Sequence, residues 1–386
     1  MNKYDVIIIG GGASGLMASL QFANSNKKVL MVDAGYSLGK KILVTGNGRC
    51  NLTNLNMSSK YFNCNIDKFL SKFNQEKTIK YFNSLGLETL ADECGRVYPI
   101  TNSAKSVVDV MTKKLETISN VEVINNLFVE YVKIVENGYI VSGKNSEFFT
   151  KNLIISNGNI DNKFLDKIQV KKVEKTPSLV ALTTKENTKN LDGVRVNNVE
   201  IIAECCGMTK SEVGELLFKD KGLSGIAIFN ISTLFARSKK FGGKIHVNLL
   251  PNKSNNEVVK LINDRCKLFE NVVDIFTGLF VDKIREELFK RLKINEQIRS
   301  EKLTKTTIEK LANLIQNLDF EVNGYYSNNQ VVSGGVEIDE LSDNLESKKH
   351  KGLYFAGETI NVDGECGGYN LQWAWTSGTI VGNALK

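Results

Sequence analysis

The sequence predicts an α/β fold in which a doubly wound sheet, built from both ends of the chain, is interrupted by an insertion. Two observations predict this fold. The chain opens with a strand, a glycine turn, a helix and a second strand, the unit that begins such a sheet. Near the other end, residues 353–358 are typical of a buried strand, while the chain between is β-rich over 177–250 and mainly helical over 255–320.

The opening unit is predicted from three segments. Asp5 to Ile9 is a short apolar run, typical of a strand that is buried on both faces. Ala13 to about Asn24 carries apolar residues along one stripe, which indicates a helix. Residues 28–33 form a second apolar run and end in an aspartate. Together these segments predict one right-handed βαβ beginning.

The elements that follow are predicted more coarsely. Residues 34–60 are rich in Gly, Asn, Thr and Ser and predict a loop, ordered or disordered. The remaining elements of the outer domain are predicted as helices over 67–85 and 103–118, strands over 121–134 and 138–156, and a final helix over about 370–385. The resulting domains are a discontinuous α/β domain over 1–175 and 326–386, a β-rich segment over 176–252, and a helical segment over 253–325.

Length and composition are those of an ordinary globular protein. A chain of 386 residues suits two or three domains of about 150 residues each. Its residues are 42% hydrophobic and 24% charged, and the sequence contains no low-complexity tract. No apolar run approaches the roughly 18 residues of a membrane span. The first strand begins too early to leave room for a signal peptide. We therefore expect a cytoplasmic protein with no membrane partner; composition says nothing about its oligomeric state.

The cysteines and histidines argue against several kinds of site. The seven cysteines are scattered, odd in number and form no C-x-x-C pair, which argues against a disulfide framework and a zinc site. Adjacent Cys205 and Cys206 are interpreted as half-buried thiols rather than redox partners. The two histidines leave little material for a metal site or for Ser-His-Asp catalysis. We predict no metal.

The net charge of +7 raises the question of a nucleic-acid partner. Residues 283–305 contain eight Lys and Arg residues, but four glutamates are interleaved among them at helical spacing, as on an ordinary solvated helix. We therefore expect no nucleic-acid partner and keep nucleic-acid binding as the weaker alternative.

Residues 10–15 fit the dinucleotide-binding fingerprint G-x-G-x-x-G. Gly10 allows the tight turn, Gly12 leaves room for a pyrophosphate beside the backbone, and Gly15 lets the helix pack closely on the strand. The pyrophosphate then lies on the N-terminal amides and dipole of the helix. Asp33 is placed to accept hydrogen bonds from ribose hydroxyls. Because a strand, a helix and an acid-ended strand surround the glycines, the segment predicts dinucleotide binding.

The far end of the chain favours FAD as that dinucleotide. Leu353 to Glu358 resembles the strand, ending in Gly-Asp or Gly-Glu, with which FAD-binding folds bring their C-terminal segment under the flavin and its ribityl chain. No second G-x-G-x-x-G is present to hold NAD(P)H in a Rossmann domain of its own. We therefore predict FAD as the cofactor, with NAD(P)H approaching it only transiently.

Two further glycine-rich loops are predicted to contact the flavin. Thr45 to Asn54 combines glycines with small polar side chains, which let a backbone lie against a flat ring, and Arg49 could compensate phosphate or reduced-flavin charge. In isolation, a surface loop fixed by Asn and Thr turns is the commoner interpretation. Asp363 to Trp373 leads into a helix whose first amides could face the pyrimidine edge of the flavin. The alternative there is a capped helix with packing tryptophans.

Several motifs together resemble those of the BaiN/YhiN-like bacterial flavoproteins, a family of NAD(P)/FAD-dependent oxidoreductases also labelled aminoacetone oxidase family. The resemblance runs in order over nearly the whole chain and is most specific at 45–54 and 357–373. The matching segments are 10–16, 40–54, 95–99, 214–218, 222–225, 333–336 and 352–378. The resemblance implies a Rossmann-like FAD-binding domain with an inserted β-barrel and a small helical domain.

The motifs and the resemblance together define the predicted cofactor-binding residues. These are Gly10, Gly12, Ala13, Ser14, Gly15, Asp33, Ala34, Lys41, Gly46, Asn47, Gly48, Arg49, Cys50, Asn51, Val129, Asn157, Gly158, Gly357, Glu358, Asp363, Gly364, Asn370 and Leu371. Departures from the family are mild. Asp33 replaces the usual Glu and shortens the reach to the ribose, and Asn47 stands where glycine is common.

These residues predict an FAD-dependent oxidoreductase that passes a hydride between NAD(P)H, or oxygen, and a small organic substrate bound between the flavin face and the inserted barrel. The resemblance implies an enone or steroid-like acid for some members and amine oxidation for others, and leaves the choice open. No catalytic residue is identified: Tyr369, Cys366 and Cys50 lie near the expected site but are equally typical of packing. The alternatives are a flavin-bearing tRNA-modifying or nucleic-acid-binding protein and a catalytically idle FAD scaffold.

Overall fold

The computed structural model describes residues 1–158, 166–327 and 331–386. The chain forms two compact units, one made of Met1–Pro177 with Gln330–Lys386 and the other of Ser178–Asn329. A search of the described residues finds no helix that is both long and apolar enough to cross a membrane.

Both units contain strands and helices. The strands are β1 (Asn2–Ile9), β2 (Val29–Val32), β3 (Thr53–Asn54), β4 (Thr89–Ala91), β5 (Arg96–Pro99), β6 (Val121–Ile124), β7 (Tyr131–Val135), β8 (Gly138–Gly143), β9 (Ser146–Ile155), β10 (Lys172–Ser178), β11 (Leu182–Thr184), β12 (Arg195–Cys205), β13 (Met208–Lys219), β14 (Gly222–Ser224), β15 (Gly243–Asn248), β16 (Leu318–Tyr325), β17 (Val331–Val336) and β18 (Leu353–Phe355). The α-helices are α1 (Ala13–Leu20), α2 (Asp67–Leu70), α3 (Gln75–Ser84), α4 (Ala104–Glu116), α5 (Ile226–Ser238), α6 (Asn255–Leu268), α7 (Asp282–Leu292), α8 (Lys305–Gln316) and α9 (Tyr369–Leu385).

A seven-stranded sheet forms the centre of the first unit. Its order is β6-β2-β1-β9-β8-β7, and β18 also pairs with β9. The first half of β9 pairs antiparallel with β8, and its second half, Leu153 to Ile155, pairs parallel with β18. Because β9 also pairs with β1 in parallel, the first strand of the chain and the last lie on either side of it. The two ends of the sequence therefore meet in one sheet, as predicted.

The parallel strands form because their side chains are apolar on both faces. Val6 to Ile9 lie in register with Val29 to Val32, and all of these residues are buried. Helix α1 connects the two strands and packs on both of them. The predicted βαβ opening is therefore confirmed.

Two boundaries near the start of the unit differ from the prediction. Helix α1 ends at Leu20, four residues early, because the Phe22 N–H bonds the Ser19 carbonyl and Asn24 adopts a positive φ of 62°. The single helix predicted over 67–85 is two, since Asn74 caps α3 by accepting a hydrogen bond from the Lys77 N–H.

Two predicted strands are also interrupted. The strand predicted over 138–156 is a hairpin, because Lys144 and Asn145 both have positive φ, as in a tight two-residue turn. The strand predicted over 121–134 breaks after Ile124 and resumes as β7. A small sheet of order β3-β5-β4 was missed, since its strands have only two to four residues and carry little periodicity.

The second unit contains a closed barrel of order β11-β14-β13-β12-β15-β16. We predicted a β-rich segment over 176–252 and a separate helical segment over 253–325. In the structure β16 follows helices α6 to α8 and closes the barrel between β15 and β11. Its alternation of buried Leu318, Phe320 and Val322 with exposed neighbours is the strand pattern that the prediction overlooked. Helix α5, within the β-rich segment, was overlooked as well.

Candidate functional site

The glycine turn after β1 is closed by backbone contacts on two sides. A Cβ atom placed on Gly15 would lie 1.9 Å from the Gly10 carbonyl oxygen, so no larger residue lets α1 approach the strand. Gly10 has φ +101°, and a Cβ there would lie 2.6 Å from the Ser156 carbonyl oxygen at the end of β9. These contacts give both glycines the packing roles that the fingerprint assigns.

Gly12 differs from Gly10 and Gly15 because, apart from its chain neighbours, no atom of the described residues lies within 4 Å of the position of its Cβ. It precedes α1, and no side chain caps the helix. The first intrahelical hydrogen bond runs from the Leu16 N–H to the Gly12 carbonyl, 2.9 Å away, so the N–H groups of Ala13 to Gly15 have no acceptor within the helix. Open space and uncapped amides are the features that an anion at a helix N-terminus requires.

Asp33 lies at the end of β2 beside this turn. Its carboxylate accepts hydrogen bonds from the Gly11 N–H at 2.6 Å and the Gly35 N–H at 2.7 Å. These bonds fix the side chain and leave further lone pairs on each oxygen for ribose hydroxyls. The Leu127 N–H bonds the Asp33 carbonyl, which brings the segment containing buried Val129 alongside exposed Ala34.

The end of β18 reaches the same turn from the other terminus. Gly357 has φ +64°, and a Cβ there would lie 2.4 Å from the Ser14 Oγ of α1. Glu358 accepts a hydrogen bond from the Lys41 Nζ at 2.5 Å. A Cβ placed on Gly158 would lie 3.5 Å from the Glu358 carboxylate. Predicted residues from four distant segments are therefore neighbours.

Helix α9 is held against α1 by small residues that the sequence analysis did not single out. A Cβ on Gly378 would lie 2.4 Å from the Ser14 carbonyl oxygen, and one on Gly382 would lie 2.6 Å from the Ala18 carbonyl oxygen. The spacing of four between Gly378 and Gly382 places both on one face of the helix, a signal that was available in the sequence. The close approach aligns the C-terminal helix with the glycine turn.

The loop over 45–54 is compact and partly strained. Gly46, Asn47 and Cys50 all have φ near +60°, a region in which asparagine is tolerated better than most residues. The Cys50 N–H bonds the Thr45 carbonyl at 3.0 Å, closing the loop. Asn47, Gly48 and Arg49 are exposed, so the loop presents these residues outward.

Hydrogen bonds join this loop to the start of α9. Thr53 donates to the Gln372 Oε1 at 2.6 Å, and Asn54 donates to the Gly367 carbonyl at 2.9 Å. Trp375 donates to the Leu52 carbonyl at 2.9 Å. All of these donors are buried. Buried hydrogen bonds therefore join the two predicted flavin loops, which lie about 320 residues apart in sequence.

The second loop is closed by its own residues. Asn370 donates to the Gly364 carbonyl at 2.8 Å and accepts from the Gly364 N–H at 2.9 Å. Buried Asp363 accepts a hydrogen bond from Ser333 at 2.9 Å. Leu371 packs against the apolar cluster under α1 and α4. Asn370 thus shapes the loop from which the cofactor is predicted to be contacted.

One buried acceptor between the two loops has no donor. The Asn51 Oδ1 accepts no hydrogen bond from any described residue, and it lies close to Gly368, the cap of α9. A buried polar atom without a partner is costly, so it indicates a missing donor. Together with the open space at Gly12, this acceptor fits a dinucleotide cofactor that extends from α1 to the loops.

The three candidate proton donors have different surroundings. Cys50 is fully buried, and burial raises the pKa of its thiol to about 12. Burial also raises the pKa of the Cys366 thiol, while nearby Arg96 lowers it. Tyr369 is buried and stacks on Tyr61 with 4.5 Å between ring centroids, and burial raises the pKa of its phenol. Tyr369 and Cys50 are thus packed residues, and Cys366 is close to a cation.

Arg96 and Tyr98, which we had not assigned to the site, lie beside the first loop. The Arg49 guanidinium carbon lies 4.8 Å from the centroid of the Tyr98 ring, and a Cβ on Gly46 would lie 3.6 Å from that ring. The sequence signal was the motif 95–99, which we used only to support the family resemblance.

A cavity of about 540 Å³ opens near the adenosine end of the predicted site. It is lined by Tyr36 to Leu38, which follow Ala34, and by residues of α4 and β6. None of the predicted cofactor-binding residues lines it.

Comparisons with known proteins place the chain among relatives of similar length. The family model described as HI0933-like protein Rossmann domain matches residues 4–384. The 3-dehydro-bile acid delta(4,6)-reductase of Clostridium scindens is 32% identical over 98% of this chain and 98% of its own length. The ribosomal RNA dihydrouridine synthase of Escherichia coli is 29% identical over 98% of this chain and 96% of its own.

A solved structure shares the fold over the full chain. The 3-ketosteroid-delta4-(5alpha)-dehydrogenase of Rhodococcus jostii, in complex with 4-androstene-3,17-dione, superposes with a TM-score of 0.50 at 11% identity, covering 100% of this chain and 97% of its own. At that identity the likeness concerns the fold alone.

Proposed function

This chain belongs to the HI0933-like family and is an FAD-dependent oxidoreductase, and we propose that it reduces a carbon–carbon double bond conjugated to a carbonyl group, with NAD(P)H as hydride donor. The observation that carries the proposal is chemical. The bile-acid reductase acts on a 3-oxo compound with unsaturation at positions 4 and 6, and dihydrouridine forms by saturation of a uracil bond conjugated to a carbonyl. The two named reactions thus share one bond type.

The residues described above would hold the cofactor as follows. The uncapped amides of Ala13 to Gly15 would bind the pyrophosphate, and Asp33 would accept from the ribose. Asn51 would accept from a donor of the flavin or the ribityl chain. Bound by these residues, FAD would supply the hydride-transfer chemistry between a nicotinamide and the substrate. Because the sequence contains a single glycine fingerprint, we expect the nicotinamide to bind transiently and to lack a dinucleotide-binding domain of its own.

One arrangement favours a small substrate over RNA. The three arginines of 283–305 are each paired with a carboxylate: Arg285 contacts Asp282 at 2.8 Å, Arg291 contacts Glu287 at 2.8 Å, and Arg299 contacts Glu270 at 3.1 Å. Paired cations do not form the unneutralised stripe that nucleic-acid backbones require. The dihydrouridine synthase name of one relative is the specific observation that keeps a uracil base in RNA as second candidate.

The experiment is an anaerobic titration of the purified holoprotein with NADH and with NADPH, followed by candidate acceptors. We expect one nicotinamide to bleach the flavin absorbance and 4-androstene-3,17-dione to restore it. The saturated 5α-androstane-3,17-dione, which lacks the double bond, is the control and should restore nothing.

Other outcomes decide against the proposal in distinct ways. Flavin that neither nicotinamide bleaches contradicts the donor. Bleached flavin that oxygen restores and the dione does not contradicts the proposed acceptor and favours an oxidase. Reoxidation by an unmodified ribosomal RNA transcript but not by the dione favours the uracil substrate, and such a complex should weaken steeply with salt.

A further inference from the structure

We infer that the outward face of the β3-β5-β4 sheet is the substrate-binding surface, on which Arg96 receives the carbonyl oxygen of a planar, apolar enone. The inference rests on the proposed function and names its substrate class. Neither Arg96 nor this sheet was among the predicted cofactor residues. The inference therefore gives the motif 95–99 a role in binding the substrate.

The pairing of β4 with β5 determines which side chains share this face. Leu90 lies opposite Tyr98, and neighbouring residues in a strand alternate between faces. Arg96 and Tyr98 therefore lie on the same side as Leu90, while Val97 points the other way and is buried. The Ile100 N–H continues the ladder by bonding the Glu88 carbonyl, so Ile100 joins the outward face.

Two large apolar side chains on this face are uncovered. Leu90 is 65% exposed and Ile100 is 63% exposed, although both flank a half-buried polar cluster. Leu90 pairs with Tyr98, whose own surface is mostly covered. Leu90, Ile100 and the polar groups around them form an exposed apolar platform with a polar rim, and such patches mark interaction sites.

Arg96 is oriented at the edge of this platform. Its Nε donates to the Asp92 Oδ2 at 2.8 Å, and its backbone N–H donates to the Asp92 Oδ1 at 2.9 Å. Among the described residues, its two terminal NH₂ groups find no acceptor. One edge of the guanidinium is thus fixed and the other is free to donate, which is the preorganised arrangement that an oxyanion site needs.

The platform adjoins the loop that we assign to the flavin. Gly46 lies against the Tyr98 ring, and Arg49 stacks on that ring. Burial raises the pKa of the Tyr98 phenol, while Arg96 and Arg49 on either side lower it. Two guanidinium groups therefore stand at this corner of the surface, and one of them is paired with Asp92. They suit an oxygen on which negative charge develops.

The reaction explains why a cation at this place is useful. As hydride adds to the β carbon of the enone, the π electron pair moves toward the carbonyl oxygen, where negative charge accumulates. A proton from water then reaches the α carbon, so the double bond gains one hydride and one proton, with the nicotinamide as the reductant. Hydrogen bonds from Arg96 to that oxygen are stronger in the transition state than in the ground state.

The test compares Arg96→Gln with Arg299→Gln, a matched control on an exposed, paired arginine of the other unit. Binding of 4-androstene-3,17-dione to the oxidised holoproteins is followed by the change in flavin absorbance. We expect Arg96→Gln to weaken the dione about tenfold or more, and to slow reoxidation of bleached flavin by the dione about 100-fold. The control should match the parent in both, and FAD content and melting temperature are recorded for all three proteins.

A second variant tests the apolar part of the surface. Leu90→Ser should weaken the dione about tenfold, because it removes exposed apolar contact without touching the cation. If Arg96→Gln reduces the dione as fast as the parent, the inference is overturned while the proposed function stands. A parent whose flavin no nicotinamide bleaches, or whose bleached flavin the dione does not restore, overturns the proposed function, whereas a parent that turns over the dione beside variants that do so equally well overturns the inference alone.

Discussion

The two ends of the predicted cofactor site are built in different ways. At the nucleotide end, Gly10, Gly12 and Gly15 lie within six residues, and the closest contacts at the Cβ positions of Gly10 and Gly15 are to backbone atoms. At the flavin end, Thr53 and Gln372 meet across 319 residues of sequence through a side-chain hydrogen bond. A backbone cradle is recognisable from glycine spacing alone, whereas a side-chain junction becomes visible only when the chain is folded.

Alanine at Gly15 is expected to break the nucleotide end most severely. Its Cβ would lie 1.9 Å from the Gly10 carbonyl oxygen and 2.7 Å from the Ser156 Oγ, and backbone cannot yield cheaply. We expect Gly15→Ala to lower the free energy of unfolding by about 3 kcal/mol, measured by urea denaturation of the apoprotein.

Gly12→Ala is the matched control for this prediction. Nothing lies within 4 Å of the added Cβ, and the backbone at Gly12 has φ −77° and suits any residue. The apoprotein should keep its stability within about 0.5 kcal/mol, while FAD binding weakens about tenfold or more because the methyl group enters the cofactor space. Equal losses of stability in both variants would contradict the distinction between packing and ligand-facing glycines.

At the flavin end, Gln372→Leu should be the most damaging side-chain change. The Gln372 amide accepts from Thr53 and donates to the Phe73 carbonyl at 3.1 Å and to Thr376 at 3.0 Å, all in the buried interior. Leaving these groups without partners should cost about 1–3 kcal/mol, measured by thermal and urea unfolding.

Gln297→Leu serves as the control for Gln372→Leu, since Gln297 is exposed. It should change stability by less than about 0.5 kcal/mol. If Gln372→Leu is as stable as the parent, the junction between the two predicted flavin loops contributes nothing to stability. That result would contradict the proposed difference between the two ends of the site.

The Lys41–Glu358 pair joins the two ends and should matter more for FAD than for stability. The Lys41 side chain is 36% exposed, so the 2.5 Å ion pair contributes under about 1 kcal/mol to folding. We expect Lys41→Met to leave the melting temperature nearly unchanged and to weaken FAD about fivefold, followed by flavin fluorescence quenching. Lys105→Met, which removes an exposed pair with Asp109, should affect neither.

Alkaline pH should loosen the flavin end through Cys50. The folded pKa of this thiol is raised by burial from 9.0 to about 12, so its contribution is fully present below pH 9 and is lost as pH rises toward 12. At pH 10 the unfolded state gains about 1.4 kcal/mol from ionisation of this one group. Cys50→Ala should therefore show a smaller loss of stability between pH 8 and 10 than the parent does, although Tyr81 and Tyr139, with pKa values raised to about 12, retain part of the slope. An unchanged slope would contradict a buried thiol at this position.

Sequence reasoning succeeded where one short segment carries the whole signal. The apolar runs at 6–9 and 29–32 are buried on both faces and form parallel strands, and the glycines between them allow a close helix. Asp33 follows from its position at the end of the second strand. FAD was predicted from the resemblance of Leu353 to Glu358 to the last strand of FAD-binding folds, and the structure gives that segment a strand, Leu353–Phe355, in the same sheet as β1.

Sequence reasoning fell short where the signal is split between segments. Thr53, Gln372 and Trp375 are ordinary residues in their own segments, and only folding makes each the partner of another. The strand Leu318–Tyr325 was hidden by the helices before it, and β4 and β5 are too short for periodicity to be read.

The glycine cradle and the parallel strands around it could be predicted from local sequence, since steric limits and buried apolar runs require no knowledge of distant residues. Folding was needed to bring Arg96, held by Asp92, beside Tyr98 and the predicted flavin loop, and to turn Asn51 inward, where no described residue donates to its Oδ1. A hydrogen bond or a stacked cation depends on the positions of two groups, and the chain between them sets those positions only when it folds.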